Sequence, residues 1–355
     1  MNAALDIIPH FYDYYDKAPL PEFKIVICSW DRSEMLCAQT LSLIKRNNIP
    51  LDRVGVFVPP GRYPKNKIPE WQMYLNAFRK YGFLDVNLFD GGTGIETNMT
   101  KAFEWVGNGY FVSLADNMSE IQQRSGFALG KKGKNDLTKL PDGGLRAIIC
   151  HGYEMLRSGK YMAWSLNPNH NGVHLSNLTL SRKLGLLDGV CSGVILPKSW
   201  QPLRVSLGHG HIYDVEWTTR LWHHGGRFVR YMGLCTVVVA HKRHPPPEAI
   251  AHVGNYLQNR CQTNKALMFL AQVFPQELEI IEKNLNKPKT TQYAWKRDGL
   301  GPLTMKFPEG ITKSSDKTLQ VGQLSSARKR PAEKDELVIE KKSNSAFGHR
   351  SLNHQ

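Results

Sequence analysis

Asp116-Asn117 and Asp214 are the residues of this chain whose type and setting best suit chemistry. Asp116-Asn117 closes the apolar run Tyr110–Leu114. A carboxylate at such a strand end suits a hard divalent cation, Mg2+ or Mn2+, because those ions take oxygen ligands. A cation there would neutralise a nucleoside diphosphate and let it leave. The same pair also fits a plain strand-end turn whose Asp caps the next helix. Asp214 stands where the loop Gly208-His-Gly-His-Ile-Tyr213 gives way to the segment Val215–Trp222. A carboxylate at a loop-to-helix junction can reach into a cleft and stay rigid, as a base for an attacking hydroxyl must. A helix N-cap is the plainer alternative. Glu216 and Arg220, on the same segment, are spaced to pair on one helix face.

Strands and helices must hold these groups. Ile25–Cys28 is an apolar strand that stops at the polar turn Ser29–Ser33, and a helix follows from Glu34 to Arg46. An open α/β sheet presents nucleotides at such strand ends. The turn lacks GxGxxG and GxxxxGK[ST], which removes the main support for a dinucleotide or P-loop site. It offers Ser29, Asp31 and Arg32 to a sugar, a base and a phosphate. Further strands are expected at Val54–Val58, Asp85–Phe89 and Tyr110–Leu114, with helices at Glu70–Tyr81 and Ile95–Trp105 between them. This alternation predicts a three-layer α/β sheet. Residues 124–143 break the pattern around an exposed basic loop bearing Lys131, Lys132 and Lys134. A helix at Arg146–Arg157, strands at Tyr161–Ser165, Gly189–Leu196 and Val229–Ala240, and a helix at Val215–Trp222 complete the set.

His241 ends the last strand. Imidazole suits Mn2+, so His241 could complete a cation site with Asp116 and Asn117; a single strand-end His is also commonly structural. The histidines at 209, 211, 223 and 224 do not match HExxH and have no CxxC partner, which argues against zinc. The six cysteines are scattered, as in a protein of a reducing compartment. The first residues lack a signal-peptide pattern, and no apolar run approaches the ~20 residues that span a bilayer. A soluble intracellular protein is expected, in a nucleus or in the cytoplasm of a virus-infected cell. The formal charge of +15 attracts polyanions, chiefly nucleic acid, although a solvated basic face would give the same number. Lys131, Lys132 and Lys134 are phosphate-contact candidates whose binding would be salt dependent. Arg328-Lys-Arg330 with Lys341-Lys342 fits a nuclear import signal as well. Four regions are expected: a lead-in at 1–22, an α/β domain at 23–248, a helical segment at 249–285 and a basic, disordered tail at 286–355.

In order along the chain, eight stretches resemble the TET-associated DNA glycosyltransferases, relatives of the base J glucosyltransferase. Those enzymes add sugar to hydroxymethylated pyrimidines in DNA. The stretches are Ile25-Val-Ile-Cys-Ser-Trp-Asp-Arg32, Arg53-Val-Gly-Val-Phe-Val58, Gly94-Ile-Glu-Thr-Asn-Met99 and Phe111-Val-Ser-Leu-Ala-Asp-Asn117. The more specific ones follow: Trp164-Ser-Leu-Asn-Pro-Asn-His-Asn171, Leu184-Gly-Leu-Leu-Asp-Gly-Val-Cys-Ser-Gly193, Tyr213-Asp-Val-Glu-Trp-Thr-Thr-Arg220 and Gly225-Gly-Arg-Phe-Val-Arg230. They span about Phe23 to about Pro246.

The resemblance implies a GT-A-like (Rossmann-type) domain with a mixed, mostly parallel sheet that uses a nucleotide sugar and a divalent cation. Residue by residue, it implies Ser29, Asp31, Arg32, Asn98 and Asp116 on the nucleotide sugar. It implies Asp116, Asn117 and His241 on the metal, and Asp214 as base. Trp164, His170, Asn171, Glu216 and Arg220 fall to the acceptor. The implied reaction moves a hexose, glucose, from UDP-glucose to a hydroxymethylated DNA base, flipped from its stack, with inversion. The chain departs from the family at three points. Ala115-Asp116-Asn117 replaces an acidic triplet, Glu96-Thr97 replaces Gln-Arg, and Tyr213-Asp214 replaces an acidic pair. A GT-A-like module that binds DNA without catalysis, and a transferase acting on protein or glycan, are the alternatives.

Overall fold

A computed structural model describes residues 19–60, 68–92, 94–124, 137–167, 175, 180–182, 186–187, 189–205, 213–224, 226–239, 266–282 and 303–306. Four strands, β1 (Lys24–Cys28), β2 (Val54–Val58), β3 (Asn87–Asp90) and β4 (Tyr110–Leu114), pair in parallel. The apolar centres of β1, β2 and β4 form continuous buried runs because helices cover both faces. The helices between them are α1, α2 (Glu70–Tyr81) and α3 (Ile95–Val106). Helix α1 consists of Ser33–Leu36, a π-helical turn at Cys37–Leu41, and Ser42–Arg46.

The second half of the sheet is largely antiparallel. Its strands are β5 (Met118–Arg124), β6 (Leu137–Lys139), β7 (Ala163–Asn167), β8 (Leu180–Ser181), β9 (Cys191–Ile195) and β10 (Phe228–Val238). The order is β3-β2-β1-β4-β9-β7-β10-β5-β6, and β8 pairs with β10. Strand β9 runs antiparallel to both β4 and β7, whereas β10 runs parallel to β7. The carboxyl ends of β1, β4, β7 and β10 therefore share one edge. Between β1 and β4 the chain switches sides of the sheet, which opens a crevice at that edge.

Alternating side chains divide the core in two. Ile25, Ile27, Val112 and Trp164 face α1, α2 and α4 (Gly144–Arg157). Val26, Phe111, Val194 and Phe228 face α3 and α5 (Tyr213–His223). Among the described residues, no helix is long and apolar enough to cross a membrane.

Two segments differ from the sequence expectation. Residues 118–124 form a strand that was not expected, running up to the break expected at 124–143. Only Met118 and Ile121 of that strand are buried, so its apolar signal is thin. The region expected to be helical contains a helix at 266–273 but also β11 (Glu279–Glu282). This strand pairs antiparallel with β12 (Leu303–Lys306), inside the stretch expected to be a disordered tail. A two-residue apolar centre such as Ile280-Ile281 carries no period that could separate strand from helix.

Candidate active site

At the end of β1 the chain turns through Ser29-Trp-Asp-Arg32. Asp31 has φ +52°, a left-handed conformation that Asp tolerates better than bulkier residues. The turn is held by the first two turns of α2. Glu70 opens that helix directly after Pro69, where a carboxylate suits the helix dipole. Its Oε1 accepts the Asp31 N–H at 2.6 Å. One turn on, the Tyr74 hydroxyl accepts the Arg32 N–H at 3.2 Å and lies 2.7 Å from Ser29 Oγ. Glu70 is 1% exposed, and its Oε2 has no partner. Burial pushes its pKa from 4.5 to about 7, against the bond from Asp31, which lowers it.

The same turn reaches across to β4. Ser29 Oγ donates to Asp116 Oδ2 at 2.7 Å, and Arg32 Nη1 donates to Asp116 Oδ1 at 2.9 Å. Asp116 is 5% exposed, whereas the Arg32 side chain is 36% exposed. Helix α1 fixes the other side of this carboxylate. The π-helical turn aims Thr40 at the strand end, where its Oγ1 donates to Ala115 O (2.8 Å) and accepts from Met118 N (3.0 Å). Residues 116 and 117 are thus bracketed by one side chain. Asn117 completes the turn: its Nδ2 donates to Val239 O at 3.1 Å, and Val239 N donates back to its carbonyl at 2.9 Å.

Asp214 reaches the same edge from α5. The β4–β9 pairing continues past the strands, with Ala115 N donating to Val190 O at 2.8 Å, so Gly189 comes level with Asp116. The Asp214 carboxylate lies on Gly189 so closely that a Cβ there would stand 2.3 Å from Oδ1. Burial alone raises the Asp214 pKa from 3.8 to about 6. The neighbouring Tyr213 hydroxyl is held far above the phenol range by burial, with Cys28, Asp214, Glu216 and Glu96 adding to the effect. The Cys28 thiol is in turn pushed up to about 12 by burial and by Asp116. Cys28 thus lies near Asp116, and Tyr213 lies near both Cys28 and Asp214.

Beside the turn, a cavity of about 730 Å3 opens between α2 and the ends of β2 and β3. Val58, Pro59, Ile68, Trp71, Leu88 and Asp90 line it. Its size and its largely apolar wall are those of a small-molecule pocket.

Other expected site residues have different surroundings. Trp164 is fully buried in the core, and its Nε1 donates to Tyr110 OH at 2.8 Å. A Cβ at Gly193 would stand 2.2 Å from that nitrogen, so the indole fills a slot in the sheet instead of touching an acceptor. Asn98 was expected at a diphosphate. Its amide nitrogen instead donates to Gly91 O (2.9 Å) and Gly92 O (3.3 Å), which fixes the loop after β3. Glu216 is 1% exposed and bonds Arg220 Nε at 2.7 Å. The Arg220 guanidinium lies over Phe274, so this pair ties α5 to the segment after it. His170, Asn171, His241, Lys131, Lys132 and Lys134 lie outside the described residues.

The expected cation site is not formed by the residues that are described. Both oxygens of Asp116 are engaged, and the Asn117 amide nitrogen is bound to Val239. Among the described residues no three His, Cys, Asp or Glu side chains converge on one point. The described members of this donor set, one carboxylate and one amide, do not by themselves make a divalent-cation site.

Sequence reasoning missed Glu70, Tyr74 and Gly189. The spacing of Glu70 and Tyr74, one turn apart on a helix, was visible in the sequence. Nothing in the sequence marked the Glu as buried.

No protein-family model matches this chain, and no curated protein matches it. Solved structures similar to it include the following three. Mannosyltransferase PcManGT from Pyrobaculum calidifontis, in complex with GDP-Man and Mn2+, has a TM-score of 0.43 and 12% identity over 74% of this chain and 73% of that one. S. aureus TarS 1-349 has a TM-score of 0.40 and 9% identity over 61% of this chain and 59% of that one. GalNAc-T7 with UDP, GalNAc and Mn2+ has a TM-score of 0.37 and 11% identity over 63% of this chain and 45% of that one. The chemistry drawn from this site rests on its own residues.

Proposed function

We propose that this chain is a glycosyltransferase that moves a hexose, glucose, from a nucleotide sugar, UDP-glucose, to the hydroxymethyl group of a modified DNA pyrimidine. One observation carries the transferase reading. A carboxylate tied to an arginine, Asp116–Arg32, and a second, buried carboxylate, Asp214, meet at the carboxyl edge of β1 and β4. The first suits a phosphate-bearing donor, and the second suits a proton acceptor.

In this reading the base lies against Trp71 in the cavity beside the Ser29–Arg32 turn. The exposed edge of Arg32 faces the diphosphate. The acceptor hydroxyl attacks the anomeric carbon from the side opposite the diphosphate. A new C–O bond forms, and the bond to the diphosphate breaks with its electron pair left on the phosphate oxygen. The hydroxyl proton passes to the Asp214 carboxylate, so the anomeric centre inverts. Most of the rate comes from holding the two reactants in line and from stabilising charge on the leaving group. The DNA acceptor rests on the sequence resemblance and on the formal charge of +15.

The test is mass spectrometry of nucleosides after incubation with UDP-glucose and duplexes containing 5-hydroxymethyluracil or 5-hydroxymethylcytosine. A hexose mass on one base supports the reading and names the acceptor. A second reading, a DNA-binding module without catalysis, is favoured by the engagement of both Asp116 oxygens. It predicts retained duplex binding with no hexose transfer from any nucleotide sugar.

A further inference from the structure

We infer that this site binds its nucleoside diphosphate without a divalent cation, with the Arg32 guanidinium holding the phosphate charge. The inference rests on the nucleotide-sugar reading above and concerns how that site neutralises its ligand.

Three observations point the same way. First, the strand-end carboxylate is already tied to a hydroxyl and a guanidinium. Asp116 accepts Ser29 Oγ on one oxygen and Arg32 Nη1 on the other, at 2.7 and 2.9 Å, and is 5% exposed. Thr40 holds the backbone on both sides of it, at Ala115 O and Met118 N. Second, the next residue is an amide. Asn117 brings no charge, and its nitrogen is bound to Val239 O. Third, a permanent cation already stands at the place where the metal was expected. Arg32 has its backbone fixed by Tyr74 and its Nη1 fixed by Asp116. Asp116 is the one side chain that meets its guanidinium among the described residues, and 36% of the Arg32 side chain is exposed.

Arginine presents its donors in a planar fork. With one nitrogen spent on Asp116, Nε and Nη2 remain to face a ligand. Paired donors of that kind match phosphate oxygens. Because Asp116 and Tyr74 hold the fork in place, little side-chain freedom is lost when phosphate arrives.

The experiment titrates the full-length protein with uridine diphosphate, and with guanosine diphosphate as a second probe, in EDTA and then in Mn2+. Wild type, Arg32→Gln and Arg32→Lys are compared, and thermal melts confirm that each is folded. Gln keeps a donor for Asp116 but removes the charge. The expected result is the same affinity in EDTA and in Mn2+. Arg32→Gln should lose about tenfold to a hundredfold, as for a charge-assisted contact. Arg32→Lys should fall between, since it keeps the charge and loses the fork. Binding that appears with Mn2+ and vanishes in EDTA would overturn the inference and leave the transferase reading standing. Metal-free binding that a folded Arg32→Gln retains would overturn the role of Arg32. Absence of binding by either nucleotide in both conditions would overturn the inference and the transferase reading together.

Discussion

Replacing Glu70 by Gln should make the pH dependence of stability shallower by a predictable amount. Glu70 is 1% exposed, its Oε2 has no partner, and its folded pKa is about 7 against 4.5 for the free side chain. At about 1.4 kcal/mol per unit, the difference corresponds to about 3 kcal/mol. The folded pKa is raised, so the folded state holds the proton more tightly than the unfolded chain does. The associated stability is fully present below pH 4.5 and is lost as the pH rises through about 7. Gln cannot ionise, and its Oε1 can still accept the Asp31 N–H.

The advantage of Glu70→Gln over wild type should therefore grow by about 3 kcal/mol across that window. Urea unfolding of both proteins at a series of pH values measures it. Asp214 contributes a slope of the same sign between 3.8 and about 6, but it is present in both proteins and cancels in the difference. Parallel stability curves for the two proteins would refute the reasoning. They would mean that Glu70 titrates as an ordinary surface carboxylate, and that the clamp on the Ser29–Arg32 turn is not built on a neutral acid.

Asp214→Asn should lower kcat by roughly two to four powers of ten and leave nucleotide affinity unchanged, the signature of a lost base. In wild type, transfer should rise through pH 6, where Asp214 ionises, and level off above it; this limb should be missing from the residual rate of the Asn variant. Gly189→Ala places a methyl group 2.3 Å from Asp214 Oδ1, so kcat should fall with little change in the melting temperature. An unchanged kcat would show that the carboxylate does not need that seat. Trp164→Ala should cost about 3–5 kcal/mol in unfolding, as for other large core truncations, and the refolded fraction should keep its acceptor KM. A selective rise in acceptor KM at unchanged stability would return Trp164 to the acceptor pocket.

The parallel half of the sheet was legible because its strands are continuous apolar runs cut by polar turns. Ile25–Cys28, Val54–Val58 and Tyr110–Leu114 appear where they were expected to within a residue. Strand β5 was not legible, because Met-Ser-Glu-Ile-Gln-Gln-Arg buries two side chains and otherwise reads as a loop. At the site, residue types placed Ser29, Arg32, Asp116 and Asp214 at one edge, since strand ends and helix starts in an α/β sheet converge there. The partners of these residues were another matter. Asn98, Asn117, Glu216 and Arg220 have the right chemistry for ligands, yet each is spent on a neighbour in the fold. Which way an amide or a carboxylate turns depends on contacts between segments far apart in the chain. Asn117 meets Val239, and Glu70 meets Asp31, through pairings that no local pattern encodes.

The two aspartates at the edge carry the same group in opposite settings, and the settings assign their tasks. Asp116 is buried with a guanidinium on one oxygen and a hydroxyl on the other. It makes a good anchor, because it aims Arg32. Asp214 is buried, and burial alone raises its pKa to about 6. It is mostly ionised at neutral pH yet takes a proton more readily than an exposed Asp, as a base that works on a hydroxyl should. Exchanging the two tasks would require moving Arg32 from Asp116 to Asp214. In the proposed transfer, the fixed position of one arginine therefore sets the donor side of the crevice apart from the acceptor side.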